Sequence, residues 1–133
     1  MNSNIKLLNW FNFFTDLIFY APIAVLYFAK VSGSFALGMS VFSIVTISSA
    51  LLEIPTGIFS DKIGRRKTII LGAASAVVAS IFYAIGGSFL FLAIGSFFLG
   101  LCRSFYSGNN DALLYDTLSE KNEQHKFGEY YYL

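Results

Sequence analysis

Glu53-Ile54-Pro55-Thr56-Gly57-Ile58-Phe59-Ser60-Asp61-Lys62-Ile63-Gly64-Arg65-Arg66-Lys67 decides how the rest of the chain is read. It lies between two long apolar runs and turns within a few residues into a dense cationic corner. Four of the nine basic residues of the chain fall in it. Flanking apolar runs of about 20 residues, each long enough to span a hydrocarbon core of about 30 Å, make this stretch a connection between transmembrane helices.

Composition agrees. The 133 residues are 56% hydrophobic, 18% aromatic and 13% charged. A soluble domain is usually about a quarter charged, so this chain has about half the expected charge. Its apolar residues come in blocks, the pattern of an integral membrane protein. A net charge of +1 carries no message about nucleic acid. The single cysteine, Cys102, lies in an apolar run and excludes a cysteine-based disulfide or metal framework. There is no nucleophile–base constellation and no phosphate loop, so nothing points to an enzyme, a metal or a cofactor. The one histidine, His125, sits in a hydrophilic tail.

Four spans are expected, at about 7–29, 36–60, 68–86 and 89–116, followed by a cytoplasmic segment over 119–133. The first run is too long for a cleavable signal and is interrupted by Asn12 and Asp16. An even number of spans puts both termini on one side. That side carries Lys6, Lys62, Arg65, Arg66, Lys67, Lys121 and Lys126, and the other carries Lys30 alone. Positive residues stay inside, so both termini and the cationic corner are expected in the cytoplasm, in the plasma or inner membrane. The aromatic cluster 129–133 suits a membrane interface.

Two rows of small residues suggest close helix packing. They are Gly72, Ala76, Ser80 and Ala84 in the third span, and Ser96, Gly100, Ser104 and Gly108 in the fourth. Chance in a Gly/Ala/Ser-rich sequence is the competing reading.

Candidate functional residues are the charges inside the spans. Asn9, Asn12, Asp16, Tyr20 and Tyr27 fall within about 80° of one face of the first helix. Asp16 lies about 14 Å deep, where an ionisable group costs roughly 2.5–3.5 kcal/mol on insertion scales. It either lines a substrate or proton pathway or is a protonated or paired structural group. Glu53 and Arg103 are expected at similar depth, which allows an ion pair; the alternative is that Arg103 snorkels to the headgroups. In the corner itself, Gly57 permits close approach of another helix. Asp61 is expected to cap the next helix or pair with Arg65, and Gly64 suits a tight turn at positive φ.

The pattern Gly57-x-x-x-Asp61-x-x-Gly64-Arg65-Arg66 resembles the loop between helices two and three of the major facilitator superfamily. Every defined position of that hallmark is matched. Glu53-Ile54-Pro55-Thr56 resembles the drug:proton antiporter-like members, and Ser107-Gly108 with Ala112-Leu113-Leu114-Tyr115-Asp116 resembles the end of helix four. One departure is that Gly108 stands five residues after Arg103, where the family pattern has four. The resemblance implies an all-α membrane fold of about twelve helices in two halves, of which this chain supplies helices one to four. It implies a proton-coupled secondary transporter of efflux or multidrug type, working by alternating access on a small-molecule substrate, with the bilayer, protons and the missing C-terminal helices as partners. It further implies that Arg65 pairs with Asp116, that Gly57 and Asp61 abut a helix of the second half as a latch, and that Asp16 faces the cavity. The alternative is a complete four-helix protein, either an oligomeric small transporter or a non-transporting scaffold.

Overall fold

The computed structural model describes residues 7, 10, 11, 13, 14, 17, 21–107 and 109. Among these the regular structure is all helix. The helices are α1 (Ala21–Ser32), α2 (Phe35–Ile63), α3 (Arg65–Ile85) and α4 (Phe89–Tyr106). Leu7, Trp10, Phe11, Phe13 and Phe14 are also helical. Three helices are long and apolar enough to cross a membrane: α2 with 29 residues, α3 with 21 and α4 with 18. At 1.5 Å per residue, α2 reaches about 43 Å and so extends beyond a 30 Å hydrocarbon core.

The boundaries differ from expectation at the corner. The second span was expected to end near residue 60 and the third to start near 68. Instead α2 runs to Ile63 and α3 starts at Arg65, so Gly64 alone connects them. It adopts φ +93°, a conformation L side chains rarely take, as the sequence led us to expect. Pro55 does not end α2, although it has no N–H to offer the carbonyl four residues earlier. Of the fourth span, expected over 89–116, the described part is helical over Phe89–Tyr106 and again at Asn109.

Sequence neighbours are not the closest spatial neighbours. The main contacts join α1 to α2, α2 to α4, and α4 to α3, while α2 and α3 touch little. The helices therefore lie in the order α1, α2, α4, α3, with α4 wedged between the two helices that Gly64 joins. The wedge works because α4 is narrow on two sides. A Cβ at Gly100 would come within 2.7 Å of the Val45 carbonyl oxygen and 3.0 Å of the Ser49 nitrogen on α2. A Cβ at Gly95 would meet the Tyr83 ring on α3 at 2.9 Å. Ser96 and Ser104 are fully buried and Gly100 is buried, so the described part of the expected small-residue row of α4 is a packing face; Gly108 lies outside the described residues.

The row proposed for α3 is not. Gly72 is buried, but Ser80 and Ala84 are exposed, and the buried face is Thr68, Gly72, Ser75 and Ala79. Steps of four drift about 40° per turn on a helix of 3.6 residues, so a row of four leaves the face of α3, which packs mainly against one helix, but stays covered on α4, which has a neighbour on either side. Alternating steps of four and three stay on the face.

Candidate functional site: the Gly64 end of the bundle

The Gly64 end gathers the end of α2, the start of α3 and the end of α4. Three polar residues of α2, Glu53, Thr56 and Ser60, are spaced three and four apart and so share an edge. Each meets a partner on or just after α4. Ser107 Oγ donates to Glu53 Oε1 at 2.6 Å. Thr56 Oγ1 lies 3.1 Å from the Ser104 carbonyl and 2.8 Å from its own Leu52 carbonyl, and shares one proton between them. Ser60 Oγ donates to Asn109 Oδ1, while Asn109 Nδ2 donates to the Phe105 carbonyl at 2.6 Å. Thr56, Ser60, Ser104 and Asn109 are buried. In an apolar surrounding such groups must find partners, and here they find them across the α2–α4 seam.

This seam changes one expectation. Glu53 is engaged by Ser107, and among the described residues no ion pair joins it to Arg103. Ser107 lies about 60° around α4 from the buried Ser104, and Arg103 a further 40° toward the exposed surface. The hydroxyl therefore reaches Glu53 first. Ser107 was noted in the sequence only as part of the stretch that resembles the end of helix four, and neither Ser60 nor Asn109 was read as a bonding partner. The three-and-four spacing of Glu53, Thr56 and Ser60 in an otherwise apolar helix was the available signal.

The motif residues occupy the other edge of α2. Successive helical residues are about 100° apart, so Gly57 and Asp61 are turned away from Thr56 and Ser60. Both are exposed, and a Cβ at Gly57 would meet nothing within 4 Å. Asp61 lies within α2, and the start of α3 has no side-chain cap, so the capping role expected of Asp61 is not realised. Arg65 is half-buried and engaged, while Lys62, Arg66 and Lys67 are exposed. Asn12, Asp16 and Asp116 lie outside the described residues, as do Asn9 and Tyr20. Of the first helix's polar face only Tyr27 is described, and it is absorbed into packing: its hydroxyl donates to the Tyr83 carbonyl at 2.6 Å. Among the described residues no three His, Cys, Asp or Glu side chains gather as a metal set would require.

Long apolar helices packed through small residues, with one cationic corner and polar side chains satisfied between helices, define a multi-pass membrane protein. Comparison with known proteins gives the family. Residues 7–131 match the family described as Major Facilitator Superfamily, and the chain belongs to it. It is also 39% identical over 88 residues to an uncharacterized transporter, BU466, of Buchnera aphidicola subsp. Acyrthosiphon pisum (strain APS). That alignment covers 66% of this chain and 22% of the relative, so the chain spans well under two thirds of the relative's length. No solved structure matches.

Proposed function

We propose that these residues form the first helices of a proton-coupled secondary transporter of the efflux, drug:proton antiporter-like type. The Gly64 corner and both termini lie in the cytoplasm, and the protein sits in the plasma or inner membrane. Further helices of the same transporter complete the fold and the substrate site, and alternating access carries a small molecule against protons.

The observation that carries this reading is the division of α2 into two edges. Glu53, Thr56 and Ser60 are bonded to α4 or its continuation, whereas Gly57 and Asp61 stand open on the neighbouring edge. A bare glycine lets the backbone of another helix approach closely where it docks. Arg65 and Asp116 pair beside this edge and steady it. Four exposed or half-buried cations at the Gly64 end against Lys30 at the other support the orientation.

Asp16, with Asn12 beside it, lines the substrate and proton pathway, and Glu53 and Arg103 extend it toward the Gly64 end. Protonation of one carboxylate favours one of two states, as any ligand that binds them unequally must. In the complete protein, Asp16→Asn should abolish efflux driven by a pH gradient while expression and melting temperature hold. Efflux that keeps its dependence on the gradient would remove Asp16 from the mechanism.

A further inference from the structure

The bonds that α2 makes to α4 and its continuation are not alike. Thr56, Ser60, Ser104 and Asn109 are buried, and none of them is ionisable. Glu53 and Ser107 are both exposed, and among the described residues Glu53 is the one titratable group of the seam. It lies about 15 Å along α2 from Ile63, amid Leu51, Leu52 and Ile54. A proton arriving at the seam therefore acts on one bond, the one to Ser107.

Ser107 is placed for that bond by its own backbone and by its neighbours. It stands at the end of α4, where a ψ of 122° takes the chain out of the helix. Its N–H is already bonded to the Arg103 carbonyl, so the hydroxyl is its remaining donor. The segment is tied to α2 on both sides. Three residues earlier the Ser104 carbonyl accepts from Thr56, and two residues later Asn109 accepts from Ser60. Both ties are buried, so Ser107 is held in place while Glu53 stays reachable.

Other ionisable groups are placed differently. On α4, Arg103 is exposed one turn before Ser107, Cys102 is buried, and the Tyr106 ring lies against Gly72 of α3. On α1, Tyr27 bonds the Tyr83 carbonyl at the Gly86 end, and Lys30 is in the last turn. On α3, Arg65, Arg66 and Lys67 start the helix, beyond Ile63. On α2 itself, Asp61 and Lys62 stand more than two turns further on.

We propose that Ser107 is a positioning residue for Glu53. Its hydroxyl fixes one carboxyl oxygen toward the end of α4 and leaves the other, which has no partner among the described residues, to exchange a proton. This role rests on Glu53 being part of the proton pathway, as proposed above. An ionised carboxylate accepts a hydrogen bond about twice as strong as a neutral acceptor does. The arrival of a proton at Glu53 weakens the bond and its departure restores it, so the end of α4 follows the protonation state of Glu53 while the two buried ties hold.

The test is difference infrared spectroscopy of the full-length protein between alkaline and acid pH. A carboxyl band present in the parent and missing in Glu53→Gln is the Glu53 signature. Ser107→Ala should move that band to higher frequency, because a carbonyl released from a donor is stiffer. Ser107→Thr keeps the hydroxyl and should leave the band in place. Ser107→Cys keeps the size but is a weak donor, and should behave as Ser107→Ala. In membrane vesicles, ethidium transport driven by a pH gradient should fall roughly five- to tenfold in Ser107→Ala and Ser107→Cys and recover in Ser107→Thr, the loss of a bond about twice as strong as the average between helices in a membrane. An unmoved band in Ser107→Ala, or parental transport in Ser107→Cys, would overturn the proposal and leave Ser107 a packing residue. A parent spectrum from which Glu53→Gln removes no band would overturn the reading of Glu53 as a proton carrier, and the role of Ser107 with it.

Discussion

The two ends of the bundle are held by different chemistry. At the Gly86 end, Ala24, Phe28, Val41 and Leu92 form a buried cluster, with Tyr27, Val31, Tyr83 and Phe89 packed against it. The Phe28 ring lies 5.1 Å from that of Tyr83 and 5.6 Å from that of Phe42, so one aromatic residue touches α2 and α3 together. Tyr27 reaches the Tyr83 carbonyl and Tyr83 Oη lies 3.1 Å from Ser96 Oγ. The backbone is fitted around these side chains, for a Cβ at Gly86 (φ +56°) would sit 2.5 Å from the Tyr27 hydroxyl oxygen. At the Gly64 end the seam is a series of single hydrogen bonds, and one edge of α2 is left bare. Shape complementarity is lost all at once when a side chain is removed, whereas in a membrane one hydrogen bond is worth about 0.6 kcal/mol on average. The Gly86 end is built to stay together. The Gly64 end is built from contacts that can be exchanged at little cost.

That contrast orders the expected effects. Phe28→Ala removes the ring that joins three helices and should destabilise the protein by about 3–4 kcal/mol, read as a large fall in melting temperature in detergent. Tyr27→Phe keeps the ring and deletes one donor, leaving the Tyr83 carbonyl without its partner, and should cost about 1 kcal/mol. At the other end, a double-mutant cycle of Ser60→Ala with Asn109→Ala should give a coupling of only about 0.6 kcal/mol. A coupling above about 2 kcal/mol would break the contrast, because the seam would then be as rigid as the aromatic cluster. A loss on Tyr27→Phe as large as that on Phe28→Ala would show that hydrogen bonding rather than packing closes the Gly86 end.

The parts of this architecture that were legible in the sequence are those set by one helix at a time. Span length, the cationic corner and the positive φ of Gly64 each follow from local composition. The parts that were not legible depend on which helices become neighbours. Glu53 was matched by depth to Arg103, but rotation about α4 decides the contact and favours Ser107. The row Gly72 to Ala84 was read at a spacing of four, but only the partner helix reveals that the face runs through Ser75 and Ala79. Tyr27 read as part of a polar stripe because its phenol is polar, while its ring packs with Phe28, the two centroids 5.8 Å apart. The wedging of α4 between α2 and α3 explains the first two, and no local pattern announces it.

The division of α2 into a closed edge and an open edge is tested most directly by one pair of variants, Gly100→Leu and Gly57→Leu, compared by thermal unfolding of the full-length protein in detergent. A Cβ at position 100 would come within 2.7 Å of the Val45 carbonyl oxygen on α2, and a Cβ at position 57 would meet nothing within 4 Å among the described residues. Leucine at position 100 should cost about 3 kcal/mol through overpacking in every state, and leucine at position 57, which clashes only while a partner helix is docked, should cost less than about 1 kcal/mol. A comparable fall in both would mean that the Gly57 edge is already packed shut, which contradicts an edge kept free for a moving partner.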